Sequence, residues 1–473
     1  MTEDNNSIYQ KDVLPNISSS TNQEEEMLQA IEEALAQGNR HRAIDIVASW
    51  KKNGVHPLLK KPRITGINHD LFCWACESNL YKSAIGNTDQ DQSWLANALD
   101  PDQNNRYIDS VNLMMAVWAA HTELGLAPNY NLLTQYEYHG AYYEKYRDHV
   151  THMFKVFLLG LYLFENHDKI RNAILDAWKE EEVFLSIWIL TALWHDVGYL
   201  IETEEGTRDG EGTLKTLKQL DEILSWPLTN LFGEPFDKDS EERWQEMPGK
   251  GKLKIPRKAK TIVALEEQLV YLCNCGSKFG LTVKKNCDAI TKYYMYTASK
   301  KTTRSFFDHG IISACMLLYV RDELCKYIML NEEMYENQKD EINGFLQKKE
   351  KYWLYAQTAA EAIAIHNLRK PSSDHGVTEL KEYGVSIKCL RIRLEQEPIA
   401  YLLRLCDELQ CWDRQRFDPP KDYSISGALM RFKTRTINDE RQVIMEIDDT
   451  AIKNKVKESV RGIFSPDAEL FLC

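Results

Sequence analysis

The stretch that most constrains this chain runs from Phe184 to Ile201 and reads FLSIWILTALWHDVGYLI. The residues from Phe184 to Trp194 are almost all apolar, so a helix built from them has no face for water and must be buried on every side. His195 and Asp196 then follow side by side. Burying a carboxylate is costly unless something compensates its charge. Two readings are open at this point. Either the pair sits at a helix end, solvated or capping a neighbour, or both side chains are ligands of a metal cation that supplies the compensation.

The chain has 473 residues, 43 % of them hydrophobic, enough for about two to four domains' worth of core. No apolar run is long enough to span a bilayer without polar interruption, so no membrane partner is expected. The opening MTEDNNSIYQKD is acidic and polar, unlike a secretory signal. Eleven scattered cysteines fit a reducing compartment better than a disulfide framework, which gives a cytoplasmic expectation. A formal charge of −13 disfavours broad binding to nucleic acid or anionic membrane by the whole surface.

Read in order, residues 1–23 are polar and predicted to be disordered. Residues 24–135 form a helical N-terminal region, opening with a helical hairpin broken at Gln37-Gly38-Asn39. Residues 136–420 hold the strongest apolar helices and form the central domain. Within it, residues 203–302 are polar and Gly-containing and are predicted to be an insertion. From Glu246 to Arg304 there are 13 Lys and Arg against 4 Asp and Glu, a local net of +9 in an acidic protein. Residues 421–473 form a C-terminal piece. There Leu429–Thr436 and Arg441–Ile447 alternate around Asn438-Asp439 as a β-hairpin, and a last helix runs from about Ala451 to Ile463. The fold expectation is mainly α, with a helical core, a long insertion, a helical N-terminal region and a small hairpin plus helix at the end.

Separate apolar helices each present a candidate ligand: His152 after Asp148, His195 with Asp196, His309 near the start of FFDHGIISACMLLYV, His366 in the last turn of KYWLYAQTAAEAIAIHN, and Asp407 in EPIAYLLRLCDELQ. A single His on an apolar helix is more often a hydrogen-bonded core residue. Five such positions in one chain are harder to dismiss.

The order H…HD…H…H…D resembles the HD superfamily of metal-dependent phosphohydrolases, in the six-ligand form found in diadenosine tetraphosphate hydrolases and cyclic-dinucleotide phosphodiesterases. His152 stands in H-M-F-K-V, similar to the family's H-x-x-R-V. His309 is followed by Gly310 and then Ser313-Ala314, like its H-G…S-A. Ala364-Ile365-His366-Asn367 is similar to I-x-x-H, and Leu405-Cys406-Asp407 to its A-D segment. The resemblance covers roughly residues 140–204 and 303–416. It implies an HD-type helical core holding two divalent metal ions, iron or manganese before zinc, cobalt or magnesium. The first ion would take His152, His195, Asp196 and Asp407. The second would share Asp196 as a bridge and add His309 and His366. It further implies hydrolysis of a phosphoester or phosphoanhydride in a nucleotide or another phosphorylated small molecule, by a hydroxide held between the ions.

This chain departs from that pattern in places. HD-GYP enzymes carry a Lys three residues after the doublet, where this chain has Tyr199, a candidate substrate contact. The interval from Asp196 to His309 is 113 residues. His149, one turn before His152, stands in a place similar to the acid His of cyclic-nucleotide phosphodiesterases. Arg414, two turns after Asp407, has a guanidinium suited to phosphate. The catalytic candidates are therefore His149, Asp196 and Arg414, with His149, Arg414 and Tyr199 as substrate contacts. His69-Asp70 and His167-Asp168 are further doublets in polar surroundings, read as decoys. Cys73, Cys76, Cys273 and Cys275 have the paired spacing of a zinc site, against an ordinary core role. The basic insertion suits a polyanionic substrate, a nucleic acid or an acidic partner, against a solvated loop. Two rivals share the same ligand set: a di-iron oxygenase, and a nucleotide sensor without catalysis.

Overall fold

The computed structural model describes most residues within 64–130, 148–198, 309–321, 354–414 and 426–461, together with Lys292, Tyr293 and Tyr296. The chain divides into Met1–Arg63 and Ile64–Cys473, and every described residue lies in the second unit. The expected disorder at 1–23, the hairpin after Glu24, almost all of the insertion, Tyr199, Cys273 and Cys275 lie outside the described residues.

The described part is mostly helical with one two-stranded sheet. Four helices come first: α1 (Gly66–Glu77), α2 (Asn79–Ile85), α3 (Asp91–Leu99) and α4 (Arg106–Ala120). At the centre lies α5 (His149–Asn166), in which every residue from His149 to Phe164 is buried. A helix with no polar face needs neighbours all round. Accordingly α5 packs against α1, α2 and α4, and also against α6 (Asp168–Trp178), α7 (Glu181–Trp194) and α9 (Pro398–Leu409). Between α7 and α9 come helical residues around 309–321, a helical segment at 354–365, and α8 (Asp374–Glu382).

Two contacts set the pitch of the central pair. Trp188 on α7 lies over Gly160 on α5, where a Cβ would come within 2.0 Å of its ring. The Trp188 Nε1–H also donates to the Phe157 carbonyl at 3.0 Å. Phe164 and Phe184 stack beside them with centroids 3.9 Å apart. Each fully buried side chain of this size contributes about 1.5–3 kcal/mol.

The C-terminal hairpin forms as expected: β1 (Met430–Ile437) pairs antiparallel with β2 (Glu440–Ile447). Its two-residue turn places Asn438 and Asp439 at φ 52° and 63°, the left-handed pair that matches the twist of a hairpin. β1 is tied to α1 through Asp70, whose carboxylate accepts from Phe432 N and from Arg431, both at 2.9 Å. Asp168 at the start of α6 accepts from Arg441 N at 2.5 Å. The carboxylates of both outlying HD doublets thus serve to dock the hairpin. The final helix, α10, spans Thr450–Arg461. No described helix is long and apolar enough to cross a membrane.

Candidate metal centre

α7 ends at Trp194, so His195 is its C-cap and Asp196 lies in the turn beyond. The doublet is at a helix end, yet it is buried, with His195 at 0 % and Asp196 at 4 % exposure. The turn is pinned by Gly198 N, which donates to Ser313 Oγ at 2.7 Å.

Four imidazoles and two carboxylates converge there. His152 and His195 with Asp196 form one group, and His309 and His366 with Asp196 form a second, the ligand atoms of each lying within 4.8 Å of one another. Asp196 Oδ1 is 3.5 Å from His195 Nε2 and 3.4 Å from His309 Nε2, and its Oδ2 is 3.6 Å from His152 Nε2. Asp407 joins at His152, with Oδ1 3.1 Å from Nε2.

The orientation of the rings identifies the atoms that face inward. His195 Nδ1 donates to the Ala192 carbonyl at 2.8 Å, and His366 Nδ1 donates to the Ile363 carbonyl at 2.6 Å. His152 Nδ1 meets Gln410 Oε1. The Gln410 amide is oriented by its own donation to the Trp412 carbonyl at 3.1 Å, so Oε1 is the acceptor and the ring nitrogen the donor. In all three rings Nδ1 is the donor and Nε2 faces the centre. Such a locked tautomer is what a metal-ligating imidazole needs. The Nε2 atoms of His195 and His366 are buried and have no hydrogen-bond partner among the described residues. Asn367 Nδ2 lies 2.9 Å from His309 Nε2 and approaches the fourth ring as a donor.

The electrostatics agree. Burial pushes the pKa of His195 down, and burial with the neighbouring His309 pushes that of His366 down to about 3. Burial alone would raise the Asp196 and Asp407 carboxyls, but the surrounding imidazoles outweigh it and hold both below the usual carboxylate range. At neutral pH His195 and His366 are therefore neutral nitrogen donors facing ionised oxygens. The donor set fits a divalent cation of the imidazole-and-carboxylate class.

The other candidates fall into place around this centre. His149 is buried on α5, and burial lowers its pKa; Asp196, Arg414, His152 and His309 are the charges that act on it. Arg414 is held near the start of the same helix, its Nε 3.8 Å from Asp148 Oδ1. Cys73 and Cys76 lie on α1, with Cys73 exposed and Cys76 half-buried.

Arg404 and Tyr293, which sequence reasoning passed over, and Gly310, which it noted only as the neighbour of His309, support the ligands. Arg404 is fully buried and bonds to the His366 carbonyl and to Glu408, and it stands 3.7 Å from Asp407 Oδ2. It shares a face of α9 with Asp407 and Glu408, and a charged trio inside LLRLCDEL was the available signal. Gly310 lets the helix of His309 reach His366, since a Cβ there would lie 2.8 Å from Cε1 of that ring. Tyr293, at the far end of the insertion, donates to the Asn367 carbonyl at 3.2 Å.

Comparison with protein-family models, curated proteins and solved structures finds no match to the chain.

Proposed function

We propose that this protein is an HD-type metal-dependent phosphohydrolase acting on a phosphoester or phosphoanhydride of a nucleotide-type substrate. The observation that carries the proposal is the convergence of oriented imidazole nitrogens on the buried Asp196 and the half-buried Asp407, with Asp196 common to both groups. In this reading His152, His195, Asp196 and Asp407 hold one divalent ion, and Asp196, His309 and His366 hold the second. Bound divalent ions lower the pKa of water towards neutrality and polarise phosphoryl oxygens, so no Ser or Cys nucleophile is needed.

The rest is the work of the chain's own groups. The Nδ1 bonds to Gln410, Ala192 and Ile363 keep three rings in place through turnover. Arg414, at the edge of the site, offers its guanidinium to the phosphoryl oxygens, and Asp148 limits its rotamers. His149 is kept neutral by burial. An anionic substrate beside it would raise its pKa and turn it into a proton donor for the leaving oxygen.

The test is metal analysis of protein purified without chelator, followed by a screen of nucleotides for phosphate release. Bound metal with release of phosphate or a nucleoside phosphate is the expected result. Metal with oxygen consumption and no phosphate release would replace this reading by an oxygenase. Tight nucleotide binding with no turnover would replace it by a sensor.

A further inference from the structure

One group of buried charges is not used by the metal ligands. Arg106 on α4 is 1 % exposed, and so is Lys155 on α5. Arg106 Nη2 bonds to Asp148 and, at 3.1 Å, to the Asp413 carbonyl. Its Nε and Nη1 are buried with no hydrogen-bond partner, as is Arg414 Nε beyond its loose approach to Asp148. Lys155 lies two turns along α5 from Asp148, on the same face of the helix. Burial pulls its pKa down to about 8, and Asp413, Arg106, Asp148 and Arg414 are the charges that act on it. Asp413 has little to give them, because its carboxylate accepts from Asn68 Nδ2 at 2.5 Å and from Gly427 N at 2.9 Å.

The cluster is thus three cations against two carboxylates, with Arg106, Lys155 and Asp148 buried and Asp413 and Arg414 half-buried at its edge. Its unpartnered donors, Arg106 Nε and Nη1 and Arg414 Nε, outnumber its one unpartnered acceptor, Asp148 Oδ1. Buried guanidinium N–H groups without acceptors are costly, and a surplus of them calls for an anion. The cluster also lies at the N-terminus of α5, where Asp148 is the N-cap residue but makes no side-chain cap bond, and that helix end favours negative charge.

We propose that Arg106, Lys155 and Arg414 form a site for a second phosphoryl group beside the metal centre, so that the substrate carries at least two linked phosphates. This rests on the phosphohydrolase reading and narrows it to the phosphoanhydride or polyphosphate class. The metal ligands would then face the reacting phosphoryl group, and Arg106, Lys155 and Arg414 would receive its neighbour.

The experiment titrates inorganic phosphate and the non-hydrolysable methylenediphosphonate into the full-length protein as purified, with metal content checked afterwards. Wild type is expected to bind the diphosphonate at least tenfold more tightly than phosphate. Lys155→Met should abolish that preference while leaving metal content and phosphate affinity unchanged, and Lys155→Arg should keep it. Replacing a buried charge by an apolar side chain of similar volume is often neutral or stabilising. A merely structural Lys155 would instead show as a lower Tm with the preference intact. Equal affinities in wild type, or a preference that survives Lys155→Met, overturns the proposal. Phosphate release from nucleotides, measured in parallel, judges the hydrolase reading separately: turnover with no Lys155 effect removes only the second site, and a Lys155-dependent preference with no turnover removes only the hydrolase.

Discussion

Asp407 Oδ1 lies 3.1 Å from His152 Nε2, while Nδ1 of the same ring is turned to Gln410. The ring is thus held from two sides, by a carboxylate at the centre and an amide behind it.

Gln410→Leu should loosen metal binding without touching a ligand. Losing the acceptor frees the His152 ring to turn and to change tautomer. Partners of this kind typically contribute 10–100-fold in metal affinity. Competition with a fluorescent chelator measures it. An unchanged affinity would mean that packing alone holds the ring.

Asp196 touches both ligand groups, so Asp196→Ala should strip most bound metal. His309→Ala or His366→Ala should leave about one ion per chain, with activity down by several orders of magnitude. Elemental analysis beside far-ultraviolet circular dichroism separates metal loss from unfolding. Full activity in both His variants would make those histidines ordinary core residues.

For Arg414 the informative comparison is Ala against Lys. If its planar fork clamps phosphate, Arg414→Lys should not recover what Arg414→Ala loses, and KM should rise in both with metal content normal. Loss of metal in either variant would recast Arg414 as a support for Asp148.

Gly310→Ala pushes a methyl group to within 2.8 Å of the His366 ring and of the Ile363 carbonyl that orients it. Overpacking of this sort costs roughly 1–3 kcal/mol. Denaturant titration should show that loss. Metal retention should fall on the His309–His366 side more than in a control such as Ala314→Gly.

Stability of the metal-free protein should fall with acid in a defined window. Burial, then the neighbouring His309, holds the pKa of His366 at about 3 in the fold, while an unfolded imidazole titrates near ~6.5. Between those values the unfolded chain binds the extra proton, so unfolding is favoured progressively as pH drops from about 6.5 towards 3. The depressed Asp196 and Asp407 add their loss only below the ordinary carboxylate value of ~3.9. Urea midpoints at pH 7, 5.5 and 4.5 should decline for wild type and decline less steeply for His366→Leu, since burial lowers His149, His167 and His195 as well. A flat wild-type profile would show that the ring is not buried and neutral.

The helices and the hairpin were legible because their signals are local. The apolar runs around His152 and His195 announce burial, and Asn438-Asp439 between alternating strands announces a tight turn. The His and Asp residues stood out because they interrupt those runs. Their supports did not, because each acts across a long separation in sequence. Gln410 finds His152 from the far end of α9, and Arg106 finds Asp148 from another helix. Nothing periodic marks a polar residue in a loop such as Trp412-Asp413-Arg414, where Asp413 takes φ 53° and its neighbours bond to α1. The side-chain tautomers were equally hidden, since they depend on carbonyls that only the fold brings near.

The seating of Trp188 on Gly160 has a kinetic meaning. With its indole N–H bonded to the Phe157 carbonyl, the ring works as a key between α5 and α7, and neither helix can slip along the other by a turn without expelling it. His152 and His195 lie about two turns from that key at the same end of it, their ring centroids 5.4 Å apart. Their separation is fixed when the two helices first pack, before any ion arrives, so metal uptake should be limited by how fast an ion reaches the interior and not by a rearrangement of the chain.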